Sequence, residues 1–428
     1  MARKHLLHGR FYWLLPVLLT GTIVAAQTPP AEKAGEELPP PPNLRPFQHA
    51  LYLSARRGAE WLWAAQRPDG TFREGLIPAL DLEVKEDDLL RQLSGTYGLA
   101  RCARFFGSER YAVRARQAVL MMLTLTKSDP ADPSVRFTIP PSGQANRLAA
   151  GSLLVLAIAE LPDPGADLVE QAGQLASYLR KRQRSDGSFE LWDTAEEEAA
   201  ATAESACYPA WCLLALARDR GGPQDQQASR LAAVAKGFDQ AFRSWQQSKD
   251  VRTAAVLICA GAELGAAMPD KTRADAVFEM ADWLCSLQYG ADPRRLAWQG
   301  GFRMEQAGSV RELPPTVDSA LCAEALAEAA RVARQMVDLP RFGRYREACE
   351  RGLHFLTTIQ YLPATTRHFA DWYAPGLYGA FYHSPRDGTV HLEGTQRAVC
   401  ALTAYFRHVV QTNPPGRPAE SRPSPPAP

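Results

Sequence analysis

One helix ending recurs four times in this chain, and it constrains the fold more than any other feature. Arg57 to Phe72 reads RGAEWLWAAQRPDGTF, an apolar helical run that stops at Gln66, turns at Asp69-Gly70 and closes on an aromatic residue. Tyr178 to Phe189, YLRKRQRSDGSF, sets Gln183, Asp186-Gly187 and Phe189 in the same relation. Trp283 to Gln288 reads WLCSLQ and is followed, after a longer interval, by Trp298-Gln299-Gly300-Gly301-Phe302. Arg351 to Gln360, RGLHFLTTIQ, repeats the Arg-Gly, aromatic-Leu and Gln positions, with Gly379-Ala380-Phe381 further on. A unit repeated along a chain cannot bury its apolar face alone, so the copies must stack on one another.

Around these endings the chain divides into twelve helical segments of two alternating kinds. One kind is amphipathic and charged, as a helix with one face in water must be: about Phe47 to Gln66, Glu109 to Thr126, Ala166 to Gln183, Gln226 to Gln246, Lys271 to Gln288 and Phe342 to Gln360. The other is nearly uniform Ala, Leu, Gly, Cys and Val, as a helix buried all round requires: about Leu89 to Phe106, Asn146 to Leu161, Glu204 to Arg218, Val251 to Ala266, Val317 to Ala333 and Glu393 to Val409. A buried helix passes quickly to the next exposed one, as at Phe106-Gly107-Ser108. An exposed helix usually reaches the next buried one through a long loop carrying Gly, Trp and acidic residues, such as Arg67 to Asp88 or Tyr361 to Leu392. Long and short loops then lie at opposite ends of a ring, with six inner and six outer helices. The expected fold is all-α, an (α/α)6 toroid of six helical hairpins; the alternative is a solenoid of helical pairs that does not close.

The folded part resembles the α/α toroids, which include the six-hairpin glycosidases and the terpenoid cyclase and protein prenyltransferase group. The residues that carry the second likeness are Arg57-Gly58, Trp61-Leu62, Gln66, Gly70 and Phe72, which look like the QW repeat of squalene-type cyclases with Phe in place of the terminal Trp. In that family the repeat ties an outer helix to its neighbour, so the resemblance implies a fold and not a reaction.

Composition narrows the remaining classes. A formal charge of +1 over 428 residues, with no long block of one sign, gives no footprint for nucleic acid. Arg3, Lys4 and Arg10 precede an apolar run from Phe11 to Val24 and the small residues Ala25-Ala26, the pattern of a secretory signal cleaved after Ala26; the run is short for a bilayer span. Residues 1–26 are thus expected to be a signal peptide, 27–45 a Pro-rich linker, 46–412 the toroid domain and 413–428 a disordered Pro-rich tail. Export implies a periplasmic or extracellular protein with no stable membrane insertion after cleavage. The eight cysteines form no CxxC, and most sit in Ala/Leu-rich helices, where small buried hydrophobes explain them better than disulfides.

In such a toroid the starts of the inner helices converge under the long loops, where six partly positive helix ends favour anions. Arg91, Arg147, Arg252 and Arg397 each fall near the start of a different inner helix, and His391 lies just before the last. They read either as clamps for a carboxylate-bearing or sulfated ligand or as ordinary helix-loop ion pairs. Acids stand at the same level: Asp87, Asp88, Glu204, Asp250, Asp318 and Glu393. Each is placed to cap a helix, and Glu204, Asp318 and Glu393 are also the candidates for the paired carboxyl groups of glycoside hydrolysis. Trp298, Trp372 and Tyr378 on the long loops suit either stacking on sugar rings or packing as a lid.

Competing chemistries leave weaker marks. There is no acidic DxDD cluster for polyene protonation, and Asp318, Cys322 and His391 give only a loose echo of a prenyltransferase zinc set, so neither a metal nor a cofactor is expected. GxGxxG, P-loop and HExxH motifs are absent. The leading expectation is an exported protein that processes an acidic glycan, by hydrolysis or by lyase or epimerase chemistry at a uronate, with acid, His or Tyr groups moving the proton. A terpenoid-cyclase-like protein acting on an isoprenoid, or a non-catalytic toroid that binds a partner, are the alternatives.

Overall fold

The computed structural model describes residues 41, 43–85, 88–139, 146–193, 198, 203–219, 221, 224–304 and 313–410. Twelve α-helices are found among them: α1 (Pro46–Ala65), α2 (Leu89–Phe106), α3 (Glu109–Thr124), α4 (Arg147–Glu160), α5 (Ala166–Lys181), α6 (Tyr208–Arg218), α7 (Gln227–Ser248), α8 (Val251–Ala267), α9 (Lys271–Ser286), α10 (Ser319–Gln335), α11 (Leu339–Thr358) and α12 (Leu392–Tyr405), which runs on as a π-turn to Val410. Caps fix many starts. Asp88, Asn146 and Asp250 accept from Leu90, Ala149 and Thr253 backbone N–H groups at 2.9, 2.9 and 2.7 Å, opening α2, α4 and α8.

The even-numbered helices are buried nearly throughout, and each packs on the next even one: α2 on α4, α4 on α6, α6 on α8, α8 on α10, α10 on α12, and α12 back on α2. That last contact closes the ring, so the arrangement is a six-hairpin toroid and not an open solenoid. Ion pairs show that the inner helices run parallel. Their starts meet through Arg252, Asp318 and Arg397, and their ends meet through Arg104, Glu160, Arg218 and Arg407.

The repeated ending is the device that joins the outer helices. In all four copies Gln and Phe form an isolated antiparallel bridge: Gln66 with Phe72, Gln183 with Phe189, Gln288 with Phe302 and Gln360 with Phe381. The Gln amide then donates twice. One bond goes to its own turn, at Gly70, Gly187, Gly300 or Gly379, and one to a carbonyl of the next outer helix, at Arg114, Ala233, Ala348 or Ser54, over 2.8–3.3 Å. These links join α1 to α3, α5 to α7, α9 to α11, and α11 back to α1. The turn glycines have φ of 92°, 95°, 85° and 93°. A side chain on Gly379 would collide with the Arg57 carbonyl of α1, and one on Gly300 with the Arg351 carbonyl of α11. The Arg-Gly pair of the motif is therefore the seat that receives the preceding copy's turn.

Three sequence expectations need correction. First, α6 starts at Tyr208 and not Glu204, because Ala203–Cys207 winds as a 3-10 turn ahead of Pro209; α10 starts at Ser319 and not Val317, because Pro314-Pro315 hold the approach out of the helical region. Second, the long loops carry short strands. β1 (Gly75–Ile77), β2 (Leu82–Glu83), β5 (Tyr382–Ser384) and β6 (Asp387–His391) form a sheet in the order β2-β1-β6-β5, and β3 (Thr126–Asp129) pairs with β4 (Asp132–Thr138). The first sheet ties the loop after α1 to the loop after α11. Third, the inner helices are not uniformly apolar: Arg101, Glu160 and Glu328 are buried in them. All eight cysteines are free thiols, and no helix among the described residues is long and apolar enough to cross a membrane.

Candidate functional site

The long-loop end gathers charge at the starts of α2, α8, α10 and α12. Asp318 sits at the N-cap position of α10, yet its side chain makes no capping bond. It reaches sideways to both ring neighbours, accepting from Arg252 of α8 at 2.8 Å and from Arg397 of α12. The residue is only 7% exposed. Burial works to raise its pKa, but the two guanidinium groups overcome that and hold the carboxyl at about 2. Asp318 is therefore ionised at any physiological pH.

A second cluster lies one helix on. Glu393, in the first turn of α12, pairs with Arg91 of α2 at 2.7 Å, and the same guanidinium lies 3.8 Å from Glu74. Glu74 is buried and built into the frame: its carboxylate accepts from the Asp88 N–H at 2.9 Å and the Gln92 amide at 3.3 Å. Its own carbonyl accepts from the Leu392 N–H at 2.8 Å, so the loop after α1 fixes the start of α12. His391 closes β6 opposite Gly75, with the His383 ring edge-on at 6.3 Å. The His383 carbonyl accepts from the Val317 N–H at 2.8 Å, which seats the approach to Asp318 against the same hairpin. Asp318, Glu393 and His391 are thus held at neighbouring points of one rim.

The other sequence candidates spread out. Arg147 at the start of α4 pairs with Asp193 at 3.0 Å, and Asp193 is held as well by Arg182 and the Tyr178 hydroxyl, each at 2.8 Å. That group anchors the loop after α5 and stands apart from the Asp318 and Glu393 clusters. Glu204 falls in the 3-10 turn ahead of α6, and its side chain lies outside the described residues, as does Asp87. Trp298 is buried, with Tyr289 edge-on at 5.3 Å and the guanidinia of Arg295 and Arg386 over its ring at 4.7 and 5.7 Å, so it packs loop against hairpin. Trp372 is 76% exposed and Tyr378 37%. Of the three aromatics, these two present faces that a ligand can use.

Tyr97 of α2 meets Trp211 of α6 edge-on at 6.5 Å, and beneath them Arg101 bonds the Tyr97 hydroxyl at 2.9 Å and pairs with Glu324 of α10. The lower ends of the helices are joined by Glu328, which pairs with Arg331 at 2.7 Å and faces His408 at 3.2 Å. Sequence reasoning missed Glu74, Asp193 and this whole interior layer. The layer did carry a signal: a charged residue within an apolar helix can be buried only if it is paired. No group of three or more His, Cys, Asp and Glu able to hold a metal occurs among the described residues, and Asp318, Cys322 and His391 form none.

The sequence matches no protein-family model and no curated protein. Several solved structures share the fold. An unsaturated glucuronyl hydrolase specific for heparin superposes with a TM-score of 0.58 at 13% identity over 84% of this chain and 98% of its own. A cellobiose 2-epimerase from Bacillus thermoamylovorans gives 0.58 at 13% over 84% and 99%. An alpha-1,6-mannanase from Salegentibacter sp. HEL1_6 gives 0.55 at 12% over 84% and 98%. At such identities the likeness establishes the architecture, a six-hairpin α/α toroid spanning the whole of each related chain.

Proposed function

We propose that the protein is an exported, periplasmic or extracellular, glycan-processing toroid whose substrate enters at the inner-helix starts. The observation that carries this reading is the Asp318 corner: a buried carboxylate held ionised between two guanidinia, beside a second carboxylate and two histidines on the rim. An ionised acid cannot donate a proton. Asp318, ionised and paired with both guanidinia, is a weak base; it is suited to fix Arg252 and Arg397 at the reacting sugar, and the groups that move the proton must be others. Glu393 and His391 are the candidates for that role on the same rim, with Glu204, in the turn ahead of α6, a further carboxyl candidate. Arg252 and Arg397 bring two guanidinium groups to the rim, a group type that recognises carboxylates, so we take a uronate-containing glycan as the preferred substrate over a neutral one. Trp372 and Tyr378 offer exposed rings for stacking on the sugars beyond the bond attacked.

That the solved structures of this architecture include a heparin-specific glucuronyl hydrolase, an epimerase and a mannanase supports a glycan in general. A charged rim, in contrast to an aromatic-lined cavity, speaks against an isoprenoid substrate. The test is a thermal-shift and turnover screen of the mature chain against neutral and uronate-containing oligosaccharides, following reducing ends and absorbance from new double bonds. Stabilisation by uronate glycans, weakened in Trp372→Ala, is the expected result. No response to any glycan would overturn the reading.

A further inference from the structure

At the opposite end of the barrel, where the inner helices finish, a cavity of about 390 Å³ opens beside the α4–α5 turn. One wall is aliphatic: Val155 and Ile158 of α4, Pro164, and Val169 and Ala172 of α5. Val169 is 39% exposed and so stands at the entrance. The facing wall carries three guanidinium groups, Arg104, Arg218 and Arg407.

These cations differ in how firmly they are held. Arg104 is committed to the end of α4, donating to the Ala159, Glu160 and Leu161 carbonyls at 2.6, 3.0 and 3.0 Å. Arg218 bonds the Tyr97 hydroxyl at 3.0 Å, Glu160 at 3.3 Å and Glu263 at 3.0 Å. Arg407 meets both carboxylate oxygens of Glu160 at 3.4–3.5 Å, and its side chain is 23% exposed. Glu160 is the shared counter-ion of all three. Burial opposes its charge, but Arg407 and Arg218, helped by Arg101 and Arg104, hold its carboxyl at about 2, so it stays ionised and is already saturated with donors. Asp219 does not compensate further, since Arg180 and Arg230 take it at 2.8 and 3.8 Å. Arg104, Arg218 and Arg407 thus share Glu160, Glu263 is shared by Arg218 and Arg331, and Arg407 lines the same cavity as the aliphatic side chains.

A concave space of this size with an aliphatic side and a partly exposed guanidinium at its facing wall fits a compact amphiphilic anion. We propose that this cavity is a second ligand site, for an alkyl or aryl carboxylate whose carboxylate group meets Arg407 and whose hydrocarbon lies on Pro164 and Val169. The site is separated from the mouth by the Tyr97, Trp211 and Arg101 layer, so it stands or falls independently of the glycan reading.

The experiment is isothermal titration of the full chain with sodium octanoate, with octan-1-ol, octylammonium and the shorter sodium butanoate as comparisons. Octanoate should bind saturably at one site. Affinity should rise about fourfold per added methylene from butanoate, if each is buried, and octylammonium should not bind. Arg407→Met keeps the apolar stem and leaves Glu160 two partners; it should weaken octanoate at least tenfold. Val169→Asp, at the partly exposed entrance, should do the same. Trp372→Ala, at the mouth, should change nothing. The proposal is overturned by any of three outcomes: no saturable heat with octanoate, octanol binding as tightly as octanoate, or wild-type affinity in Arg407→Met.

Discussion

Asp88, Asp250 and Asp318 stand at equivalent places before three inner helices, but they do different work. The first two cap: Asp88 accepts from the Leu90 N–H and Asp250 from the Thr253 N–H. Asp318 is turned to Arg252 and Arg397 instead, because the helices on either side of α10 each direct an arginine at it. Its folded pKa of about 2 lies below the ordinary carboxylate value, as does that of Glu160. A carboxyl with a lowered folded pKa stabilises the fold fully above its unfolded value, and that stability is lost as pH falls towards the folded one. Acid unfolding should therefore set in between about pH 4.5 and pH 2, with each of the two groups withdrawing on the order of 2–3 kcal/mol. Circular dichroism melts across that range check this, and Asp318→Asn should flatten the dependence; an unchanged slope in the variant would contradict it. The sequence placed Asp318 at the site but could not separate it from its capping relatives. What distinguishes it is the pair of guanidinia converging from other helices, a relation that spans 66 residues in one direction and 79 in the other.

Among the elements, the repeated helix ending was the most legible, since its spacing is local. Gln, Gly and Phe recur at recognisable offsets, and each copy forms the same bridge and the same pair of amide bonds. Gln360 is the copy that joins α11 to α1; it is 2% exposed and also accepts from the Ser54 hydroxyl at 2.8 Å. Gln360→Ala would leave the Ser54 and Gly379 carbonyls without this donor inside the protein, which costs about 1–3 kcal/mol for each group left unsatisfied. Gly379→Ala adds a side chain at a φ of 93° facing the Arg57 carbonyl, a change worth roughly 2 kcal/mol or more. Urea titration should show both losses as lower midpoints, and a variant with a wild-type midpoint would remove the joint's structural role. The strands were not legible. β1 has three residues and β2 two, too short to show alternation, and they exist because the two loops lie side by side across the mouth.

At the scale of the molecule, the contact of α12 with α2 and the link from Gln360 to α1 make the first and last hairpins neighbours. A closed ring has no end hairpin to fray, so unfolding should be one transition, with tryptophan fluorescence and circular dichroism coinciding; separate transitions would indicate an open array. Alternation of charged and apolar helices was enough to foresee six hairpins, but not the ionic layer inside them. Arg101, Glu160 and Glu328 each look like an isolated exception in an apolar run, and only the ring brings them to partners from other helices. Removing the Glu328 charge with Glu328→Gln should cost on the order of 3 kcal/mol, as the half-buried Arg331 loses its 2.7 Å partner and keeps only Glu263 at 3.6 Å. A thermal melt at wild-type temperature would contradict that.

The central claim, that the mouth processes an acidic glycan through Asp318, is tested most directly by turnover of a uronate-containing oligosaccharide. The wild-type chain and Asp318→Asn would be compared well below the variant's melting temperature. The account predicts turnover by the wild type and a fall in kcat of about 100-fold or more in the variant, with the fold retained. Equal turnover by the two proteins would contradict it.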